Sequence, residues 1–371
     1  MTEHHFTDVS GASAPGEPDY WQPVIFRAAE IEAEIARLCD VARPANGRRS
    51  SVFTHHRAPA ENPSLAPGIR VSLEVLLPGE RTAPVRHTST QVGFCVSGTG
   101  TVEFDDRSFD VGQYDGWNHP SWQAYALRND STEPFVRFTY SNAPVLERLN
   151  IHLVDDAVEL SPTSDAPRVA VPAEERTGNT ASPFGTFELA DGAMLMPYET
   201  LISPPALPSP ALHWPWVDVK RHLDELEALG DSYVGRRLYL LYNPLTGRTN
   251  GTTPSFFATM TIRPPSIVDR PHRHVSAAIN YFFHGSGWSR VGGQRYEWSA
   301  GDLMLTAPGW MIHHHASGDD SHVYELTVQD QPMNIAMESL LWQEDLKRPP
   351  RVLGSESGFA TNRVPEQAVT A

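Results

Sequence analysis

The stretch Pro271–Gly287, PHRHVSAAINYFFHGSG, decides how the rest of the chain is read. Its Val, Ile, Tyr and Phe residues between proline and glycine boundaries have the character of a strand. His272 and His274 stand two residues apart in it, and a strand places residues i and i+2 on the same face, so both imidazoles point the same way. After a turn at Gly292 and Gly293 comes AGDLMLTAPGWMIHHHAS (300–317), where turns at Gly301-Asp302 and Ala307-Pro308-Gly309 bracket a second strand that ends in His313. A β barrel can lay this strand beside the first. Three neutral nitrogen ligands then face an ion from one side and leave its other side open for substrate or dioxygen. Alternation turns His314 away into a solvated position, while His315 returns to the ligand side, as an outer hydrogen-bond donor or simply as a polar residue. A lone strand histidine is usually a hydrogen-bonded core or surface residue. H-x-H, then G-x-G, then P-x-W-x-x-H in a β context points instead to a metal.

The same text occurs earlier in weaker form. His87 in RHTSTQVGFCVSGTG matches His274 at an offset of 187 residues, and Pro120, Trp122 and Pro144 match Pro308, Trp310 and Pro332 at 188. A register held this closely marks a duplicated β domain. Val85 stands where the first copy would need His272, and Tyr125 where it would need His313. Only His87 survives there, so one metal per chain is expected, in the second copy.

The expected organisation is a flexible tail (1–20), a helix plus first β domain (21–154), a linker (155–200), a helix plus second β domain (201–345) and a C-terminal tail (346–371). The first helix is read from WQPVIFRAAEIEAEIARL, with Ile31, Ile35 and Leu38 on one stripe. The second is read from WVDVKRHLDELEALG, with Val217, Leu223, Leu226 and Leu229 on a stripe and Gly230 as C-cap.

A chain of 371 residues carrying 32 prolines and 26 glycines, with 40% hydrophobic and 20% charged residues, fits two turn-rich globular β domains. The net charge of −16 repels nucleic-acid backbones and anionic lipid surfaces. No apolar run is long enough to span a membrane, and the N-terminus has no signal-peptide pattern, so cytoplasmic residence is expected. Cys39 and Cys95 are too few for a disulfide framework or a thiolate metal site, which leaves nitrogen and oxygen ligands.

These motifs resemble the cupins, and the order of segments is similar to the gentisate 1,2-dioxygenase family with its salicylate and hydroxynaphthoate relatives. The resemblance is carried by WQPVIF, VSLEVLLPGE with RHTST, LHWPW, LYNPLTG, PHRH with GSG, AGDLMLTAPGWMIHHH and the closing DQP, from about Trp21 to Glu344. It implies an all-β bicupin of two tandem double-stranded β-helix (jelly-roll) barrels, mononuclear Fe(II), dioxygen as co-substrate, and opening of a phenolic acid ring. It also implies a homodimer or homotetramer. The family's usual iron site lies in the first cupin, whereas the complete triad here is in the second. Asn280 occupies the position of the family's substrate-facing arginine, with Tyr281 beside it. Arg290, on the strand after the G-x-G turn, is the expected replacement anion clamp, and Asn280, Tyr281, Arg290 and His315 are the expected catalytic groups around the metal. Arg273, His284, Trp298 and Trp310 are further pocket candidates. The degenerate first cupin either caps the sheet edges of its partner and forms the dimer or tetramer surface, or keeps a residual small-molecule pocket lined by His87, His119 and Tyr125. Two other functions stand beside the dioxygenase: a non-redox metal cupin (isomerase, lyase or hydrolase), and a protein that binds a small molecule through its metal.

Overall fold

Two six-stranded antiparallel sheets carry the fold. The computed structural model describes residues 6–14, 16, 18–160, 187–189, 192–198, 209–230 and 236–358. Much of the expected linker and the ends of both expected tails lie outside the described residues.

The first sheet runs His213–Trp214, Gly116–His119, Gln91–Ser97, Phe135–Ser141, Arg70–Leu76, Arg49–Phe53. The second runs Val24–Phe26, Leu303–Ala307, Ala278–His284, Val323–Gln329, Phe257–Arg263, Arg237–Leu240. Each is closed into a barrel by a three-stranded sheet, centred on Gly100–Phe104 in the first copy and on Ser286–Val291 in the second. Corresponding strands keep the sequence offset of the repeat. The architecture is the expected pair of jelly-roll barrels with a few short helices.

Two strands cross between the copies. Val24–Phe26 pairs with Leu303–Leu305 in the second barrel, and His213–Trp214 pairs with Gly116–Trp117 in the first. The segment WQPVIF therefore ends in a short strand, Val24–Phe26, and the first helix spans only Ala28–Asp40. That helix starts where the backbone N–H of Ala28 donates to Asp302 Oδ1 at 2.8 Å, so a carboxylate of the second barrel serves its unpaired N-terminus. Ile31 and Leu38 are buried from it as read. The second helix, Trp216–Glu227, departs from its expected stripe. Val217 and Leu229 are exposed, and the inward positions run through Trp216, Val219 and Leu223. Gly230 has the left-handed φ (+52°) expected past a helix end.

The main core lies between the two large sheets. Leu73, Phe94 and Phe138 of the first meet Met260, Ile279, Tyr281 and Phe283 of the second. The barrel interiors form two smaller clusters, one around Trp117 and Phe135 and one around Phe282 and Trp298. Each large sheet is thus covered on both faces, which is why its strands read as nearly continuous apolar runs. Although composition groups Arg351–Val352 with the C-terminal tail, they pair with Leu341–Trp342, which in turn pair with the strand of His274. Among the described residues no helix is long and apolar enough to cross a membrane.

Candidate metal centre

His272, His274 and His313 are all buried, and one nitrogen of each lies within 4.8 Å of the others. His272 and His313 face each other across a backbone bridge, and His274 follows two residues after His272 on the same face. The orientation of each ring is set by the main chain. Nδ1 of His272 donates to the carbonyl of Arg270, that of His274 to Ser276 and that of His313 to Met311, each at 2.9 Å. With Nδ1 carrying the proton, the Nε2 lone pair of each ring is left free, the tautomer a metal requires. Burial keeps the rings neutral. It lowers His274 to about 3 and His313 well below the ordinary histidine range, and lowers His272 with help from the positive charge of Arg236.

Trp342 covers the pair from the C-terminal side, its indole stacked on His274 with ring centroids 4.6 Å apart and on His272 at 5.7 Å. Sequence reading missed this residue. The offset of 188 would have found it, because Val154 opposes His87 in the first copy as Trp342 opposes His274 in the second. Also missed was a buried charge network behind the triad. Asp269 is shared by Arg236 at 3.2 Å and Arg263 at 3.0 Å, and Arg263 also reaches Glu325 at 3.2 Å. Burial works against the charge of Asp269, but Arg263 and Arg236 outweigh it and hold the carboxyl at about 2. The backbone N–H of Asp269 donates to the carbonyl of His315 at 2.8 Å, tying the network to the ligand strand.

The other expected site residues divide by strand face. His315 lies on the side of His313, buried, with Nδ1 2.7 Å from Ser289 Oγ, which also accepts from Trp298 Nε1 at 2.9 Å. Asn280 faces the barrel interior, where its amide donates to Thr327 at 2.8 Å and accepts from Thr306 at 2.6 Å. Tyr281 does not join the site. Alternation sends it to the opposite face, into the core between the sheets, 4.8 Å from the ring of Phe138. Arg290 is likewise turned out. It is exposed and paired across the strands with His314 and Arg295, while Ser289 and Val291 take the inward positions. Arg273 stacks over Trp310 at 4.4 Å, Trp298 lies flat on Phe282 at 3.8 Å, and His284 is exposed.

In the first barrel Val85 and Tyr125 form the bridge that His272 and His313 form in the second. The Tyr125 hydroxyl lies 3.2 Å from His87 Nε2, so a phenol stands where a metal would be. Gly93 takes the repeat position of Asn280, and the indole of Trp117 fills the space above it, 2.2 Å from where a Cβ would sit.

Two duplicated barrels, one complete triad and one degenerate copy set the terms of comparison with known proteins. Residues 72–139 match the cupin domain family, and residues 263–362 match the AraC-like ligand binding domain family. The chain is 30% identical over 130 residues to 5-aminosalicylate 1,2-dioxygenase of Comamonas sp, a match covering 34% of this chain and 33% of that enzyme. It is 24% identical over 269 residues to gentisate 1,2 dioxygenase 1 of Aquipseudomonas alcaligenes, covering 70% and 71% of the two chains. The chain is thus similar to gentisate 1,2-dioxygenase-like bicupins. The solved salicylate 1,2-dioxygenase of Pseudaminobacter salicylatoxidans shares the bicupin fold at 16% identity and a TM-score of 0.70, over 88% of this chain and 90% of that one. The histidine triad of this bicupin lies in the second barrel.

Proposed function

We propose that this bicupin is an Fe(II)-dependent ring-cleaving dioxygenase that opens a substituted aromatic acid of the salicylate or gentisate type with O2, using one iron on His272, His274 and His313. The observation that carries the reading is the preformed triad, three buried neutral imidazoles whose Nδ1 protons are all taken up by backbone carbonyls. The relatives named as 1,2-dioxygenases of 5-aminosalicylate and gentisate support the reaction class. Three imidazoles with no carboxylate ligand leave several coordination positions for a bidentate acid and dioxygen, unlike a two-histidine-one-carboxylate set. When bound, the iron would supply a Lewis-acid and redox centre for an ortho-hydroxy acid and dioxygen.

The residues of the chain then have definable tasks. The carbonyls of Arg270, Ser276 and Met311 fix the ligand rings, and Trp342 limits their tilt and excludes water from one side. Arg236, whose positive charge acts on His272, His274 and His315, offers attraction to the carboxylate of an acid. His315, fixed by Ser289, is held beside His313 at a ring separation of 5.9 Å. Dioxygenation places both oxygen atoms in the product, so no external reductant is required. The exposed Tyr239 and Leu240 on the edge strand Arg237–Leu240 favour self-association as a homodimer or homotetramer.

The test is oxygen uptake by anaerobically Fe(II)-loaded protein given salicylate, gentisate, aminosalicylate and nitrosalicylate in turn. Iron-dependent consumption of one O2 per acid, with loss of aromatic absorbance, is expected. Metal-dependent turnover without oxygen would replace the reading with a non-redox cupin, and metal-dependent binding with no turnover would reduce it to a binding protein.

A further inference from the structure

The interior of the first barrel contains hydrogen-bond donors that nothing among the described residues accepts. His119 is buried, and its Nε2 receives the indole N–H of Trp117 at 2.7 Å. An indole nitrogen can only donate, so the neutral ring carries its own proton on Nδ1, and that atom has no partner among the described residues. Arg137 is equally buried. Its Nη2 is paired with Glu74 at 2.6 Å, while Nη1 has no partner among the described residues. Nearby acceptors are already engaged, Glu74 by Arg137 and Thr139, and the Tyr125 hydroxyl by His87 and Gln91.

Charge points the same way. Arg48, partly exposed, places its guanidinium 5.3 Å over the Tyr125 ring and donates to the Ala83 carbonyl at 2.8 Å, with no carboxylate partner among the described residues. Arg48 and Arg137 against Glu74 leave one positive charge in excess. Phe104 and Tyr125 flank His119 with ring centroids at 5.5 and 4.2 Å, which supplies apolar walls. The polar set is not a relic of the metal site, because in the repeat His119 corresponds to Ala307 and Arg137 to Glu325.

Donors without acceptors, excess positive charge and aromatic walls describe the complement of a small organic anion. We propose that the first barrel is a metal-free binding site for a small carboxylate, held by His119 Nδ1 and Arg137 Nη1 with Arg48 at its rim.

Benzoate is the probe, titrated calorimetrically into the full His313→Ala chain, whose metal triad is broken, and into chelator-treated wild-type chain. Saturation at one benzoate per chain in both is expected, with Arg48→Met and His119→Phe each weakening affinity about ten-fold or more, as loss of a charge-assisted hydrogen bond requires. Arg48 makes no ion pair among the described residues, so its variant should melt like the parent and report binding alone. Absence of saturation in both proteins would overturn the proposal, as would affinity unchanged by both substitutions. A crystal structure in benzoate with only water on His119 Nδ1 and Arg137 Nη1 would also overturn it.

Discussion

His272 and His313 exchange a pair of backbone hydrogen bonds, 3.1 Å from the N–H of His272 and 2.9 Å from that of His313. The first and third ligands are thus carried on directly opposed residues of two antiparallel strands, and their separation is fixed by the sheet. Removing one ring leaves that frame standing. His313→Ala should lose its metal and all metal-dependent activity while melting cooperatively. Tyr125→Ala, at the equivalent place in the first barrel, should keep one metal per chain and lose about 3–5 kcal/mol of stability as a large buried ring is removed. Metal analysis and thermal melting of the two variants check this. Metal lost with Tyr125 and retained without His313 would place the ion in the other barrel.

Arg236 should matter for acids more than for phenols. Arg236→Met is expected to weaken binding of salicylate to the metal-loaded bicupin by about ten-fold and to leave binding of an uncharged phenol nearly unchanged. Competitive displacement followed by fluorescence separates the two. Equal weakening of both ligands would mean that Arg236 acts only by holding Asp269.

Arg263 is fully buried between Asp269 and Glu325. Its truncation leaves Glu325 buried without its cation and Asp269 with Arg236 alone, so Arg263→Met should destabilise by about 3–5 kcal/mol, measured in urea. The loss should be smaller when Glu325 is changed to Gln in the same chain. An unchanged midpoint for the single variant would show that the network is not holding the second barrel together.

Asp330 gives a pH signature. Burial raises its carboxyl from 3.8 to about 7, against the backbone N–H of Ala277 that donates to Oδ1 at 2.8 Å. The folded chain holds this proton more tightly than the unfolded one, so the contribution is complete below about 4 and is lost as pH rises to about 7. A shift of this size is worth on the order of 4 kcal/mol. Asp330→Asn should therefore melt higher than wild type at pH 8 and lose most of that advantage at pH 4. A constant difference across the range would assign the effect to packing.

The two-residue spacing of His272 and His274, and the register that leads on to His313, made the triad legible in the sequence. So did the substitutions at Val85 and Tyr125. Tyr281 and Arg290 were misread because alternation shows which residues share a face without showing which face is inward. Asn280 and Tyr281 are neighbours on one strand, so only one of them can enter the barrel, and the second large sheet makes the other side equally apolar. The face of Arg290 is set by close packing at Gly287, where a Cβ would lie 2.1 Å from the Ala316 carbonyl, and that contact has no local signature. WQPVIF has the apolar content of a helix start, yet its partner strand lies almost 280 residues away. Charge networks such as Arg236–Asp269–Arg263–Glu325 assemble from three separate segments and leave no pattern in any of them.

The strands Val24–Phe26 and His213–Trp214 each belong to the sheet of the opposite copy, so the two halves hold one another as clasped hands do. Peptide continuity between them is then not what joins them. A chain cut once between Leu160 and Phe187 should still travel as a single body through a native sizing column and separate only in denaturant. Either half made alone would be short of an edge strand and would present that vacancy to the next copy it met.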